Sequence, residues 1–166
     1  MRMKKVMMIL LLASLWVGAQ AQGLKKVYNE DIDPIAQIDK AVKKAGAQGK
    51  HVMCQVGGNW CIWCLRFADF VEKDNAVNQA MHKNYEYIHV NYNPRTPEGK
   101  EKGKALLKRL AGCGRFGYPV FVVLDGKGKV VHIQDSSFLE DGNGYSAEKV
   151  LRFLNAWTHE AVNETR

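Results

Sequence analysis

The residues with the most chemistry to offer stand together: Trp60-Cys61-Ile62-Trp63-Cys64. A short run of strand-forming residues, His51 to Val56, precedes them and is stopped by Gly57-Gly58-Asn59, and helical periodicity follows to about Lys73. The cysteine pair is therefore expected where a strand and a glycine turn hand over to the first turn of a helix. Unbonded N–H groups and the positive end of the helix dipole stabilise a thiolate on the first cysteine. A two-residue gap brings the second sulfur within bonding reach after one turn, so the pair can close a small disulfide ring. Cys61 is accordingly the expected nucleophile, forming a mixed disulfide with a partner protein. Cys64, deeper in the helix, is the expected resolving thiol. Trp60 is expected to cover the rim of the pair and limit solvent access.

The elements that must hold this pair are legible on either side of it. Asp33-Pro34 is a side-chain cap followed by a first-turn proline, and Ile35, Ile38, Val42 and Ala45 recur at helical spacing until Gly46 and Gly49. After the Cys64 helix the sequence predicts a short helical piece over Ala76 to Lys83 and a strand over Tyr87 to Tyr92. Asn93 to Gly103, with two prolines and two glycines among many charges, is expected to be mostly loop, and Lys104 to Ala111 helical. Val120 to Leu124 and Val130 to Ile133 flank Asp125-Gly126-Lys127-Gly128-Lys129, a hairpin signal. Ser146 caps a last helix whose apolar side carries Val150, Leu151, Phe153, Leu154 and Trp157. Strand, helix, strand, helix, strand, strand, helix calls for parallel strands with a crossover plus an antiparallel hairpin.

Strand, turn, Trp60-Cys61-x-x-Cys64, helix, and later Tyr118-Pro119 opening a strand resemble the thioredoxin family over roughly residues 30 to 160. The resemblance is strongest to exported thioredoxin-like proteins with Trp-Cys-x-Trp-Cys after a glycine-containing turn. It implies an α/β thioredoxin fold, three layers around a central mixed sheet, and thiol–disulfide exchange on proteins. It also implies a cis bond before Pro119, with Tyr118 and Pro119 docking substrate beside Trp60. Two positions depart from the family pattern. Gln55 stands where thioredoxins proper carry a buried aspartate, and an amide cannot accept a proton. Proton handling at Cys64 must then differ, through water or through His89 on the neighbouring strand. Ile62-Trp63 replaces the Gly-Pro dipeptide that influences redox potential.

Other readings compete for the same residues. One Cys-x-x-Cys supplies two ligands where structural zinc takes four; Cys54, Cys113, His51 or His89 would have to complete the set, and no second close pair exists. No metal is expected. A purely structural Cys61–Cys64 bond would close too small a loop to contribute much. Cys54, in an apolar strand, fits a buried small hydrophobe. Cys113 lies between two glycines and is expected to be partly exposed, as an inert thiol, a regulatory thiol or a partner of Cys54. Gly112-Cys113-Gly114-Arg115-Phe116-Gly117 matches the dinucleotide pattern literally, but a helix precedes it and a strand follows, the reverse of what that site requires. Asn163-Glu164-Thr165 is a glycosylation sequon in form only.

Arg2, Lys4 and Lys5, the apolar run Val6 to Val17 and Ala19-Gln20-Ala21 have the form of a signal peptide over residues 1–21. The apolar run is shorter than the roughly 20 residues of a membrane-spanning helix; a retained anchor is the alternative. Residues 22–166 form the expected thioredoxin-like domain, periplasmic or secreted, in a compartment that permits disulfides. Without the three leading cations the net charge of +7 falls to +4, spread over solvated helix faces such as Lys40 to Lys50 and Lys100 to Arg109. No basic stripe interleaved with aromatics is present, so nucleic acid is not an expected partner. The sequence thus predicts an exported thiol–disulfide oxidoreductase, more readily a reductant than an oxidase or isomerase. It needs no bound cofactor beyond its own dithiol and exchanges electrons with protein thiols and an upstream redox protein. A thioredoxin-fold binding or chaperone module is the non-catalytic alternative.

Overall fold

Asp33 opens helix α1 (Pro34–Ala47): its carboxylate accepts the Ala36 N–H at 2.8 Å, and Pro34 occupies the first turn, where no N–H is needed. The computed structural model describes residues 23–164; the signal-peptide expectation for residues 1–21 lies outside them. From α1 the chain enters β1 (His51–Gly57), buried at every residue because neighbours lie on both edges and both faces. On one edge β1 pairs in parallel with β2 (Tyr85–Asn91), from His51↔Tyr85 to Gly57↔Asn91. On the other it pairs antiparallel with β3 (Val120–Leu124), Val56 opposite Val120. β4 (Val130–Asp135) folds back on β3 across a turn in which the Asp125 carboxylate accepts the N–H groups of Lys127 and Lys129. The sheet order is β2-β1-β3-β4.

Alternation along β1 sends Val52, Cys54 and Val56 to one face and Met53 to the other. The first face joins Val122 and Leu124 of β3 to Ile38, Ala41 and Ala45 of α1 and to Leu106 and Leu110 at the end of α4 (Pro97–Arg109). The second joins Phe121 and Val123 to Phe67 and Val71 of α2 (Ile62–Lys73), Met81 of α3 (Asn75–Asn84), and Val150, Phe153 and Leu154 of α5 (Ala147–Ala156). Two helical layers on a mixed sheet make the three-layer α/β/α thioredoxin fold. A third, smaller cluster of Tyr28, Cys61, Cys64 and Leu65 closes the end of the sheet where β1 leaves and β3 enters. Among the described residues, no helix is long and apolar enough to cross a membrane.

Several elements correct the sequence expectations. α4 begins at Pro97, inside the stretch expected to be loop, because Thr96 accepts the Gly99 N–H at 3.0 Å and proline sits in the first turn. Its two interior glycines conceal it, yet Gly103 is required there: a Cβ would drive into the Tyr92 ring. β2 starts at Tyr85, two residues early, with the Tyr85 phenol donating to the Leu154 carbonyl at 2.5 Å. A two-residue ladder, β5 (Glu140–Asp141) with β6 (Gly144–Tyr145), and a final helix α6 (His159–Glu164) carry too little periodicity to be foreseen.

Candidate active site

Cys61 does not lie within α2 but caps it. Its backbone is extended (φ −104°, ψ 105°), and Sγ accepts the N–H of Cys64 at 3.2 Å. The turn before it is closed by a hydrogen bond from the Cys61 N–H to the Gly58 carbonyl, 3.0 Å. Glycine is needed at position 57 because a Cβ there would overlap Cys64 Sγ and come within 3.0 Å of the Tyr28 hydroxyl. Cys61 and Cys64 are joined as a disulfide, their Cα atoms 5.2 Å apart. Cys64 has no exposed surface, whereas Cys61 keeps 7%. The two sulfurs are thus unequal in access: a partner reaches Cys61 first.

The loop before β3 supplies the opposite wall. The Tyr118–Pro119 peptide is cis, and Cys61 Sγ lies 3.6 Å from the Tyr118 carbonyl oxygen. The Val56↔Val120 pairing produces this juxtaposition, placing the end of β1 and the start of β3 side by side. Trp60 lies edge-on to Tyr118 at 5.6 Å and donates its indole N–H to the Tyr92 carbonyl at 2.9 Å. Trp63 stands at the other side, edge-on to Tyr145 at 5.8 Å, and the Tyr145 hydroxyl donates to the Trp63 carbonyl at 3.1 Å. Ile62, between them, is 51% exposed.

Behind the disulfide, Gln55 is fully buried and satisfied on both ends. Its amide N–H groups go to the Tyr28 hydroxyl at 2.6 Å and the Cys64 carbonyl at 2.9 Å, while its carbonyl accepts from the Tyr87 hydroxyl. Burial pushes both tyrosine hydroxyls far above their ordinary range. His89 pairs with Gln55 in the β1–β2 register and packs edge-on to Tyr28 and Tyr87, and its Nε2 is buried without a hydrogen-bond partner. Burial lowers its pKa to about 4, since a charged imidazole there would lose its water. Gln55 therefore holds the backbone of the second cysteine, whereas His89 stands by as a neutral ring.

Cys113 corrects an expectation: it is fully buried rather than partly exposed, and both it and Cys54 are free thiols. Burial pushes Cys113 up to about 11 and Cys54 higher still. Among the described residues, no group of three or more His, Cys, Asp or Glu is placed to hold a metal ion.

The sequence reading missed Asn59 and the strap over residues 23–30. The Asn59 carbonyl accepts the N–H groups of Val27 and Tyr28, each at 3.1 Å, and its amide donates to the Tyr28 carbonyl at 2.8 Å and to Glu30 at 3.2 Å. One side chain in the turn before the disulfide thus fastens the strap, whose Leu24 and Val27 pack on the Cys61–Cys64–Leu65 cluster. The strap has no periodicity to betray it. An asparagine ending a glycine turn was the one available signal.

Comparison with known proteins agrees with this architecture. The solved structure of a disulphide isomerase from Xylella fastidiosa Temecula1 superposes with a TM-score of 0.67 at 20% identity, covering 80% of this chain and 96% of that one. A DsbH oxidoreductase gives 0.51 at 19% identity, covering 71% and 79%. In sequence, 52 residues are 36% identical to the thiol:disulfide interchange protein DsbD of Colwellia psychrerythraea strain 34H; they make up 31% of this chain and span only 9% of that protein. The thioredoxin-like family model matches residues 33–126, more than half the chain. With that match over more than half of its length, and with the fold and a closed Cys-x-x-Cys disulfide at a helix cap, the chain belongs to the thioredoxin-like family.

Proposed function

We propose that this protein acts as a reductant of disulfides in exported proteins, after loss of residues 1–21. The observation that carries the exchange reaction, whichever way electrons flow, is the capped disulfide: the Cys64 N–H on Cys61 Sγ is positioned to stabilise the same sulfur as a thiolate once the bond is reduced. In the dithiol form, Cys61 attacks one sulfur of a substrate disulfide, and the other substrate sulfur leaves as a thiolate. Cys64 then gives up its proton and attacks the Cys61 sulfur of the mixed disulfide. The second substrate sulfur departs, and two electrons have passed from the protein to its substrate. An upstream redox protein restores the dithiol, so the cysteine pair is itself the redox group.

Trp60, Tyr118 and Pro119 form the wall against which substrate lies. Gln55 fixes the Cys64 carbonyl, and His89, the neighbour of Gln55 across the β1–β2 register, is the neutral ring assigned to the Cys64 proton. The pH profile of disulfide reduction tests the last assignment: an unchanged profile in His89→Gln removes His89 from it. The test of the whole is insulin reduction with dithiothreitol as electron source. Cys61→Ser should abolish activity, and Cys64→Ser should accumulate mixed disulfides; two variants behaving like the parent would refute the reading. Equilibration with glutathione then fixes the direction. A potential near −270 mV, like that of thioredoxin, fits a reductant, and one near −120 mV an oxidant.

A further inference from the structure

We propose that the rim of the disulfide selects substrate segments carrying carboxylates beside their cysteine, through Arg66 and Arg95. The inference rests on the exchange reaction proposed above and names the kind of chain the site accepts. Arg95 lies over the Trp60 ring with its guanidinium carbon 4.7 Å from the ring centre, and Arg66 lies over Trp63 at 4.8 Å. Both tryptophans that bracket Cys61 and Ile62 therefore carry an arginine on their faces. Stacking occupies the flat face of a guanidinium and leaves its N–H edge for a planar anion.

Among the described residues, neither guanidinium takes part in an ion pair or a side-chain hydrogen bond, although the protein has carboxylates to spare. Its ion pairs employ Lys44, Lys73, Lys102, Lys104 and Arg152 instead. Nearby cations reinforce the sign. Arg115, on the Phe116 ring ahead of the cis proline, donates to the Ala111 and Gly112 carbonyls and to no carboxylate. Lys25 and Lys26 are exposed on the strap between Leu24 and Val27. The opposing charges include Glu30, beside Asn59, Glu140, whose charge reaches Tyr145, and Asp69, one turn from Arg66 on α2 but paired with Lys73. A chain whose cysteine reaches Cys61 meets the Trp60–Arg95 stack on the Tyr92 side and the Trp63–Arg66 stack on the Tyr145 side. Each stack offers an apolar ring and a forked donor, which together suit an Asp or Glu side chain.

The experiment uses three peptides that share one internal disulfide and differ only in the residues flanking a cysteine: Asp, Ser or Lys. The kcat/KM for their reduction is divided by each peptide's rate with dithiothreitol, which removes the intrinsic reactivity of the sulfur, and by the same protein's rate on neutral hydroxyethyl disulfide. The Asp peptide should exceed the Ser peptide about tenfold, with the Lys peptide slower still and high salt flattening the order. Arg66→Gln with Arg95→Gln should reduce the Asp preference to about twofold, while Arg66→Lys with Arg95→Lys, which keeps the charge but loses the stacked fork, should fall between the Gln pair and the parent. Equal rates for the three peptides, or a preference untouched by the Gln pair, would overturn the inference and leave the exchange reaction standing. Failure of the parent to reduce hydroxyethyl disulfide would instead remove the reaction, and the inference with it.

Discussion

Asn59→Ala removes the hydrogen bonds that tie the strap's backbone to the turn before the disulfide, leaving its side-chain packing and the Gln55–Tyr28 bond. Four hydrogen bonds go, of which the contact to exposed Glu30 counts for little and the three to the Val27 and Tyr28 backbone are part-buried. At roughly 1 kcal/mol net for each, and with water able to replace some of them, the loss is about 2–3 kcal/mol. With a urea slope of about 2 kcal/mol per molar, the unfolding midpoint should fall by about 1 M at unchanged slope. The same energy read locally predicts that the Val27 and Tyr28 amides exchange with solvent about a hundredfold faster, while amides of β1 change only by the global shift. Asn59→Asp keeps the acceptor, loses the donors and should fall between. Hydrogen exchange by mass spectrometry with urea titration gives both numbers. Val27 and Tyr28 amides as protected in the Ala variant as in the parent would refute the fastening, whatever the midpoint does.

Other outcomes follow from the same site. Gln55→Leu takes the Gln55 partner from two buried tyrosine hydroxyls and the side-chain bond from the Cys64 carbonyl, which stays in the helical ladder, and should destabilise the protein by about 2–3 kcal/mol in urea. His89 gives a pH signature. An unfolded histidine takes up a proton near pH 6.5, but the folded ring refuses it until about pH 4. Between those values the unfolded chain binds more protons, so stability falls as pH drops through the window, by up to about 3 kcal/mol, and levels off below it. His89→Gln should remove that slope from urea midpoints measured against pH. In the oxidised protein, Cys54 and Cys113 should resist iodoacetamide until denaturant is added and then react together, as counted by intact mass.

The cysteine pair and its setting were legible because strand, glycine turn and capped helix each leave a local mark. Gln55 and Pro119 are visible only by resemblance, since nothing near them in sequence announces a buried amide or a cis bond. α4 was misplaced at its start because Gly99 and Gly103 read as loop; their reason, the Asn93 carbonyl and the Tyr92 ring, lies in contacts a linear pattern does not record. Cys113 looked exposed between two glycines, yet packs with Leu106 and Leu110 under the sheet. The strap was invisible for a related cause: its order is held by contacts distant in sequence, with Asn59, Gln55 and the disulfide cluster, rather than by a periodicity of its own.

The wet chemistry of this protein is simplified by its dry interior. An aspartate at position 55 would titrate along with the sulfurs and blur every rate curve. A glutamine there, flanked by phenols that stay protonated and an imidazole that stays neutral, leaves the backdrop electrically silent from about pH 5 to about pH 9. Across that span the charges left to change beside the disulfide are those of the two sulfurs, so a profile displaced in His89→Gln would report the ring's hand in moving the Cys64 proton and not a titration of its own.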